Sequence, residues 1–399
     1  MTSKSRGHLN DMNNASQHDF HSKRPSVYLD QWVWVRLAKA AAGNPREMGD
    51  DAVLRAVESA RDAGVAFPLS STHYIETARV RSHRQRTDLA TIMGSISHLR
   101  TLRSRHELLR HQLLTVMHEV FGRPTFGPEY VEPLGVGVYW AFEGEHRRLT
   151  VHGSQGILDA VEAALAPGAL CRATQWAELQ FLAGPRDEDV ATLRERYAYR
   201  PETTEQLGAS RLEWEQVYVG LLADDPVSRA ELRVRVQARE IAHEHLDLLS
   251  SLLREYRLSL DRLTGGPGAE PGSARPRMTA FFDSMPSVRT AVDMKVELFR
   301  NLSNTWTIND IYDIDAVSLA IPYCHVVVAD KAKIDTLERT GADAYNGTKL
   351  IRRLMDLVDA LPPLEEAATR FGGDRIGWNW CHPGVRFDPL SPEALFKVD

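Results

Sequence analysis

Cysteine is scarce in this 399-residue chain: Cys171, Cys324 and Cys381 lie far apart and form no CxxC pair. That excludes a disulfide framework and a thiolate zinc site, and it fits a reducing compartment. Lysine is scarce too, with eight against forty arginines. The ratio favours bidentate phosphate contacts, but a GC-rich coding sequence gives the same bias, so it carries little weight. No apolar run approaches the roughly 18 residues that span a bilayer. The opening MTSKSRGHLNDMNNASQHDFHSK has no signal-peptide core, so a soluble, cytoplasmic protein without a membrane partner is expected. Positive charge is not in excess either: a net charge of −6 and a pI near 6.2 exclude a uniformly basic nucleic-acid coat. A local basic face remains open, because phosphate binding depends on local rather than total charge.

What is present is an α/β pattern split by a long helical stretch, and 399 residues suffice for two units or for one domain with a large insertion. Residues 1–24 are polar and without period, which predicts a disordered lead-in. Val27-Tyr28-Leu29-Asp30 reads as a buried strand stopped by an aspartate, followed by two helices, a second strand at 65–69 and a third helix after Ser70-Ser71-Thr72. Helical connections of this length suit parallel strands. From 81 to 262 apolar residues recur at three and four, marking a helical insertion interrupted near 122–142. Residues 263–278 are dense in Gly and Pro and read as a linker. The α/β pattern resumes over 279–362, where Val326-Val327-Val328-Ala329-Asp330 is a second apolar run ending on aspartate, and GTKLIRRLMDLVDALPP reads as helical. Residues 363–399 read as a short helix and a Trp- and Pro-containing tail.

Two strands that end on aspartate at the same edge of a parallel sheet would bring carboxylates together where open α/β sheets bind ligands. Such charges repel unless a cation sits between them. Glu76, on the helix after the second strand, and Asp313, early in a later helix, complete a set of four with Asp30 and Asp330. Oxygen ligands of this kind suit Mg²⁺ or Mn²⁺ and a phosphodiester hydrolase. Asp310 lies three residues from Asp313 on one helical face and is a further candidate metal ligand or a helix cap, whereas Asp315 points away and ranks third.

The order of these acids resembles that of PIN-domain nucleases. NDIYDIDAVSLAIPYCHVVVADK, at 309–331, is similar to the PIN motif of a helix-starting aspartate followed by a hydrophobic strand ending in Ala-Asp-Lys, and the interval from Asp313 to Asp330 (330 − 313 = 17) is close to that motif's. YLDQWVWVRLAKA resembles the PIN opening and PLSSTHYIETA its glutamate helix. The likeness covers roughly 25–80 and 280–360. Gln31-Trp32 depart from the small hydroxyl or Asn of many members, and the core is split by some 200 residues. The resemblance implies a PIN-like parallel sheet flanked by helices and interrupted by a mostly α-helical insertion. It also implies a catalytic and metal-ligand role for Asp30, Glu76, Asp313 and Asp330, Mg²⁺ or Mn²⁺ as cofactor, and metal-dependent RNA cleavage. A homodimer and a bacterial stress, toxin or antiviral-defence setting follow from the same likeness, while an inhibitory protein partner is left open.

Nucleic acid, RNA ahead of DNA, would meet the segment 79–111, which holds eight arginines and four histidines against two acids. Arg79, Arg81, Arg84 and Arg86 flank the expected crevice, Arg103 continues the basic run, and Lys331 follows Asp330. The bland alternative is a solvated basic helix face. Trp378 and Trp380 would stack on bases or anchor the tail. Two rival functions remain. Arg105-His106-Glu107-Leu108-Leu109-Arg110-His111 is similar to the Arg-polar-x-x-x-x-His pattern of HEPN ribonucleases, which would place metal-independent cleavage at Arg105 and His111. The other rival is a catalytically silent PIN-like scaffold that binds nucleic acid or protein.

Overall fold

The computed structural model describes residues 20–146, 154–156, 159, 169–225, 227–266, 270, 272–301 and 305–371. In chain order, β1 (Val27–Leu29) leads into α1 (Gln31–Ala41) and α2 (Asp50–Asp62), then through an extended segment at 65–69 into α3 (Ser71–Ala78) and α4 (His83–Ser97). Strands β2 (Arg100–Leu102) and β3 (Leu134–Val136) flank α5 (Arg105–Phe121). A helical run follows: α6 (Gly137–Glu143), α7 (Ala169–Ala183), α8 (Val190–Tyr197), α9 (Pro201–Asp224) and α10 (Arg229–Glu240), which passes through a π-helical turn at Ile241–His245 into α11 (Leu246–Glu255). Then come α12 (Asp261–Thr264), α13 (Ala274–Asp283), α14 (Pro286–Arg300), α15 (Ile308–Tyr323), β4 (Val326–Val328), α16 (Lys331–Thr340), α17 (Ala342–Asn346), β5 (Lys349–Ile351) and α18 (Asp356–Arg370).

The described chain is mostly helical around a small parallel sheet in the order β1-β4-β5, with Val27, Tyr28 and Leu29 opposite Val326, Val327 and Val328. On the other edge of β1 the segment 65–69 extends the pairing. Val27 N donates to Ala66 O at 2.8 Å, and Leu69 N donates to Arg100 O at 2.8 Å. Between these two bridges stands Pro68, which has no N–H to give, so the segment pairs at its ends and not as a continuous strand. β2 and β3 close this side as an antiparallel pair.

The sheet divides two cores. Val27, Leu29, Val326 and Val328 face one, with Val33, Trp34 and Leu37 of α1, Val53 and Val57 of α2, and Leu357 of α18. Tyr28 and Val327 face the other, with Leu113 and Met117 of α5, Val292 of α14 and Ile314 and Val317 of α15. Strand side chains alternate between faces, and covering both faces is why these strands are apolar at every position. Val33, Trp34, Leu37 and Ala40 recur at helical spacing, which makes α1 a helix with one buried stripe.

Several expected boundaries move. Packing is already present within the expected lead-in: Phe20 packs edge-on against Tyr323, and Ser22 N donates to Tyr323 O at 3.0 Å. The helical insertion is not separate from the sheet at residue 81, because β2 bonds to Leu69. Most of the second half of the expected linker is helix, with α13 starting at Ala274 and Arg275 paired to Glu231 at 3.0 Å. Lys349-Leu350-Ile351, expected to be helical, forms β5, since pairing with β4 outweighs local preference. α18 runs across the expected boundary at 362, and residues 1–19 and the tail from 372, including Trp378 and Trp380, lie outside the described residues. Among the described residues no helix is long and apolar enough to cross a membrane.

Candidate active site

Because β1 and β4 run parallel in register, their carboxyl ends open on the same edge of the sheet. The aspartate after each strand caps the helix that follows. Asp30 Oδ1 accepts from Gln31 N at 2.7 Å, and Asp330 Oδ1 accepts from Lys333 N at 3.0 Å. N-capping satisfies an otherwise orphaned helix N–H, and it leaves the second oxygen of each carboxylate available. Both second oxygens meet one atom: Lys333 Nζ lies 2.8 Å from Asp30 Oδ2 and 2.9 Å from Asp330 Oδ2. Asp313 Oδ1, from α15, lies 2.7 Å from the same nitrogen. Three carboxylates thus surround an ammonium that has three N–H donors.

α3 and α15 pack together and bring the remaining acids inward. Glu76 stands six residues past its N-cap Ser70 (76 − 70), and Asp313 six past its N-cap Thr307 (313 − 307). Each helix start is closed by a capping box, Ser70 with His73 and Thr307 with Asp310. His73 also ties α3 to the end of β1. Its Nδ1 accepts from Ser70 N at 2.8 Å, which makes Nε2 the donor to Leu29 O at 2.9 Å. Burial pushes the His73 pKa down to about 4 against the opposing pull of Leu29 O and Asp30, so the ring is neutral.

Electrostatically the pocket is short of positive charge. Burial, then Asp30 and Asp313, push the Glu76 carboxyl up to about 7, with Lys333 and Arg79 pulling the other way. Burial likewise raises Asp313 to about 6, with Lys333 opposing and Asp30 and Asp330 adding to the rise. Burial alone would lower the Lys333 pKa, but Asp30, Asp313 and Asp330 overcome it and hold the ammonium charged above the usual lysine range. Among the described residues no group of three or more His, Cys, Asp or Glu is arranged as it stands to hold a metal ion. The point on which the carboxylates converge is taken by Lys333.

The structure therefore brings Asp30, Asp313 and Asp330 onto one atom and Glu76 into their field. Asp310 goes elsewhere: its Oδ2 accepts from Thr307 N and Oγ1, both at 2.7 Å, in the capping role. Asp315 faces the insertion, where Arg211 holds it at 2.6 and 2.9 Å. Arg79, Arg81 and Arg84 are exposed along the stretch that follows Glu76, and Arg79 donates to Asn309 Oδ1 at 3.3 Å with its guanidinium over Tyr312. Arg86 drops out of this track. It is 6% exposed and donates to the carbonyls of Val80, Ala183 and Pro185, stapling α4 to the loop after α7. Arg103 stacks on Trp140, with its guanidinium 4.6 Å from the ring centre, and Lys331 is exposed at the start of α16.

Arg105 sits among Glu244, Glu240 and Asp315 at 3.0, 3.6 and 3.7 Å, and His111 packs edge-on against Phe20. The same buried network includes Lys295, 2.6 Å from both Glu215 and Glu240. Of the two neighbouring histidines in the π-helical turn, His243 stacks on Trp214 and His245 is buried beside Glu240 at 3.6 Å.

Sequence reasoning missed Lys333 and His73. The signal for Lys333 was its place three residues after a strand-ending aspartate, and for His73 its place three residues after Ser70. No family model matches the chain, and no curated protein or solved structure matches it at a significant level.

Proposed function

We propose that this chain is a metal-dependent phosphodiester hydrolase, a PIN-like ribonuclease whose carboxylates are Asp30, Glu76, Asp313 and Asp330. The observation that supports the reading is the convergence of three carboxylates, from β1, α15 and β4, on one point at the ligand-binding edge of a parallel sheet. Their donors are all hard oxygens, the chemistry that suits Mg²⁺ or Mn²⁺. Glu76 and Asp313, pushed to about 7 and 6, mark a pocket in which one ammonium does not balance four acids. Asp30, Asp313 and Asp330 would hold the metal, with Glu76 beside them. When bound, the ion would acidify a water molecule and screen charge on a phosphate.

The chain's own groups have separate tasks. Asp30 and Asp330 are oriented by their capping bonds, which fix which oxygen faces the pocket. His73, neutral and bonded at both nitrogens, sets the distance between α3 and the end of β1. Arg79, Arg81 and Arg84 offer exposed guanidinium groups to a nucleic-acid backbone. The rival centred on Arg105 and His111 has less support, because Arg105 is engaged by three acids.

Incubating single-stranded and structured RNA with the purified chain tests the reading. Mn²⁺-dependent cleavage that leaves 5′-phosphate ends and stops with EDTA is the expected result. EDTA-resistant cleavage with 2′,3′-cyclic phosphate ends would favour Arg105 and His111. Binding without turnover would favour a scaffold.

A further inference from the structure

We propose that Lys333 is the resident cation of the carboxylate pocket, and that a divalent metal ion enters only by displacing its ammonium. This rests on the metal-dependent reading given above. Three oxygens from three separate elements lie within 2.9 Å of Nζ, so the lysine fills the very place where Asp30, Asp313 and Asp330 could share an ion. Mg²⁺ or Mn²⁺ would draw those oxygens to roughly 2.0–2.2 Å around the same centre, which leaves no room for the nitrogen. Two cations at one point also repel.

The surroundings let the ammonium leave without undoing the fold. Lys333 is the third residue of α16, and its backbone N–H stays bonded to Asp330 Oδ1 whichever way the side chain turns. The helix is anchored separately by Ile334 and Leu337, both fully buried. Lysine's four-carbon stem is flexible, and the side chain keeps 14% exposure, so a path to solvent is open. With the lysine in place the pocket is closed to metal but stable; with it swung out, the carboxylates are free to bind.

The test compares wild-type, Lys333→Met and Asp30→Asn full-length proteins by calorimetric titration with MnCl₂ and by the paramagnetic resonance of unbound Mn²⁺. Lys333→Met should bind Mn²⁺ at least about tenfold more tightly than wild type, since no ammonium has to be expelled. In EDTA its melting temperature should fall below that of wild type, and Mn²⁺ should restore it by binding the folded state. Equal or weaker Mn²⁺ affinity in Lys333→Met overturns the displacement. A wild type that binds Mn²⁺, an Asp30→Asn variant that does not, and an unchanged Lys333→Met would sink this proposal and leave the metal site standing. No Mn²⁺ binding by any of the three would sink both.

A second measurement does not depend on that variant folding. In wild type labelled with ¹⁵N-lysine, the held ammonium signal, assigned by its loss in Lys333→Arg, should move to the free-lysine position when Mg²⁺ saturates the protein. A signal unmoved at saturating Mg²⁺ overturns the proposal.

Discussion

Asp30 and Asp330, 300 positions apart (330 − 30), occupy the same conformation: φ −63°, ψ 156° and φ −64°, ψ 160°. Each caps a helix with one oxygen and presents the other to Lys333 Nζ. The capping duty and the pocket duty are therefore carried by different atoms of one carboxylate.

Asparagine caps as well as aspartate does, so Asp30→Asn and Asp330→Asn should separate the two duties. Each should change unfolding free energy by no more than about 1 kcal/mol. If the chain is the hydrolase proposed, each should also lower Mn²⁺-dependent RNA cleavage by about 100-fold or more. Denaturant melts and single-turnover cleavage check the two halves, and wild-type cleavage by either variant would remove that carboxylate from the mechanism.

Glu76 makes the protein's stability depend on pH. Its folded pKa of about 7 lies above the ordinary 4.5, so the folded state binds the extra proton between those values. The contribution is fully present below pH 4.5 and is lost as pH rises through about 7. Glu76→Gln should match wild type at pH 4.5 and be more stable at pH 8 by about 1–3 kcal/mol. If the metal site is as proposed, adding Mn²⁺ should shrink the difference. Urea titrations at the two pH values decide it.

His73 works in the opposite direction. Its folded pKa of about 4 lies below the ordinary 6.5, so its stabilisation is present above pH 6.5 and is lost as pH falls toward 4. His73→Ala should cost about 2–4 kcal/mol at pH 7.5, because Leu29 O and Ser70 N lose their buried partner. The gap between variant and wild type should narrow steadily on acidification to pH 4.

Arg211 and Asp315 supply a test of the insertion's grip on α15. Asp315 is two residues from Asp313, and Arg211 of α9 holds it with two hydrogen bonds. Arg211→Met leaves a largely buried acid with Arg105 alone, at 3.7 Å, and should destabilise by about 2–4 kcal/mol. The double variant Arg211→Met, Asp315→Leu should recover part of that loss, a coupling that a double-mutant cycle measures.

Much of the candidate pocket was legible in the sequence because its signals are local. A buried parallel strand is apolar throughout, so a run such as Val326-Val327-Val328 that stops on aspartate marks the sheet edge without any partner being known. Lys333 was not legible, since a lysine three residues after an aspartate reads as an ordinary helix-surface pair. Only the fold, with β1 in register with β4 and α15 packed beside them, shows that two further carboxylates arrive at the same nitrogen. Arg86 misled for the same reason: its charge suggested solvent and phosphate, whereas two of the carbonyls it bonds are nearly 100 residues away. β5 was hidden because Lys349-Leu350-Ile351 runs straight into helical periodicity, and an edge strand of three residues has too little sequence to show a period of two.

The register of β1 with β4 has a consequence for a chain still being made. Asp30 and Glu76 leave the ribosome early, but the strand that β1 pairs with and the other two acids come some 240 residues later. Until then there is no pocket for lysine or metal to enter. Every truncated product that ends before Asp330 therefore lacks the carboxylate pocket, a consequence of connectivity alone.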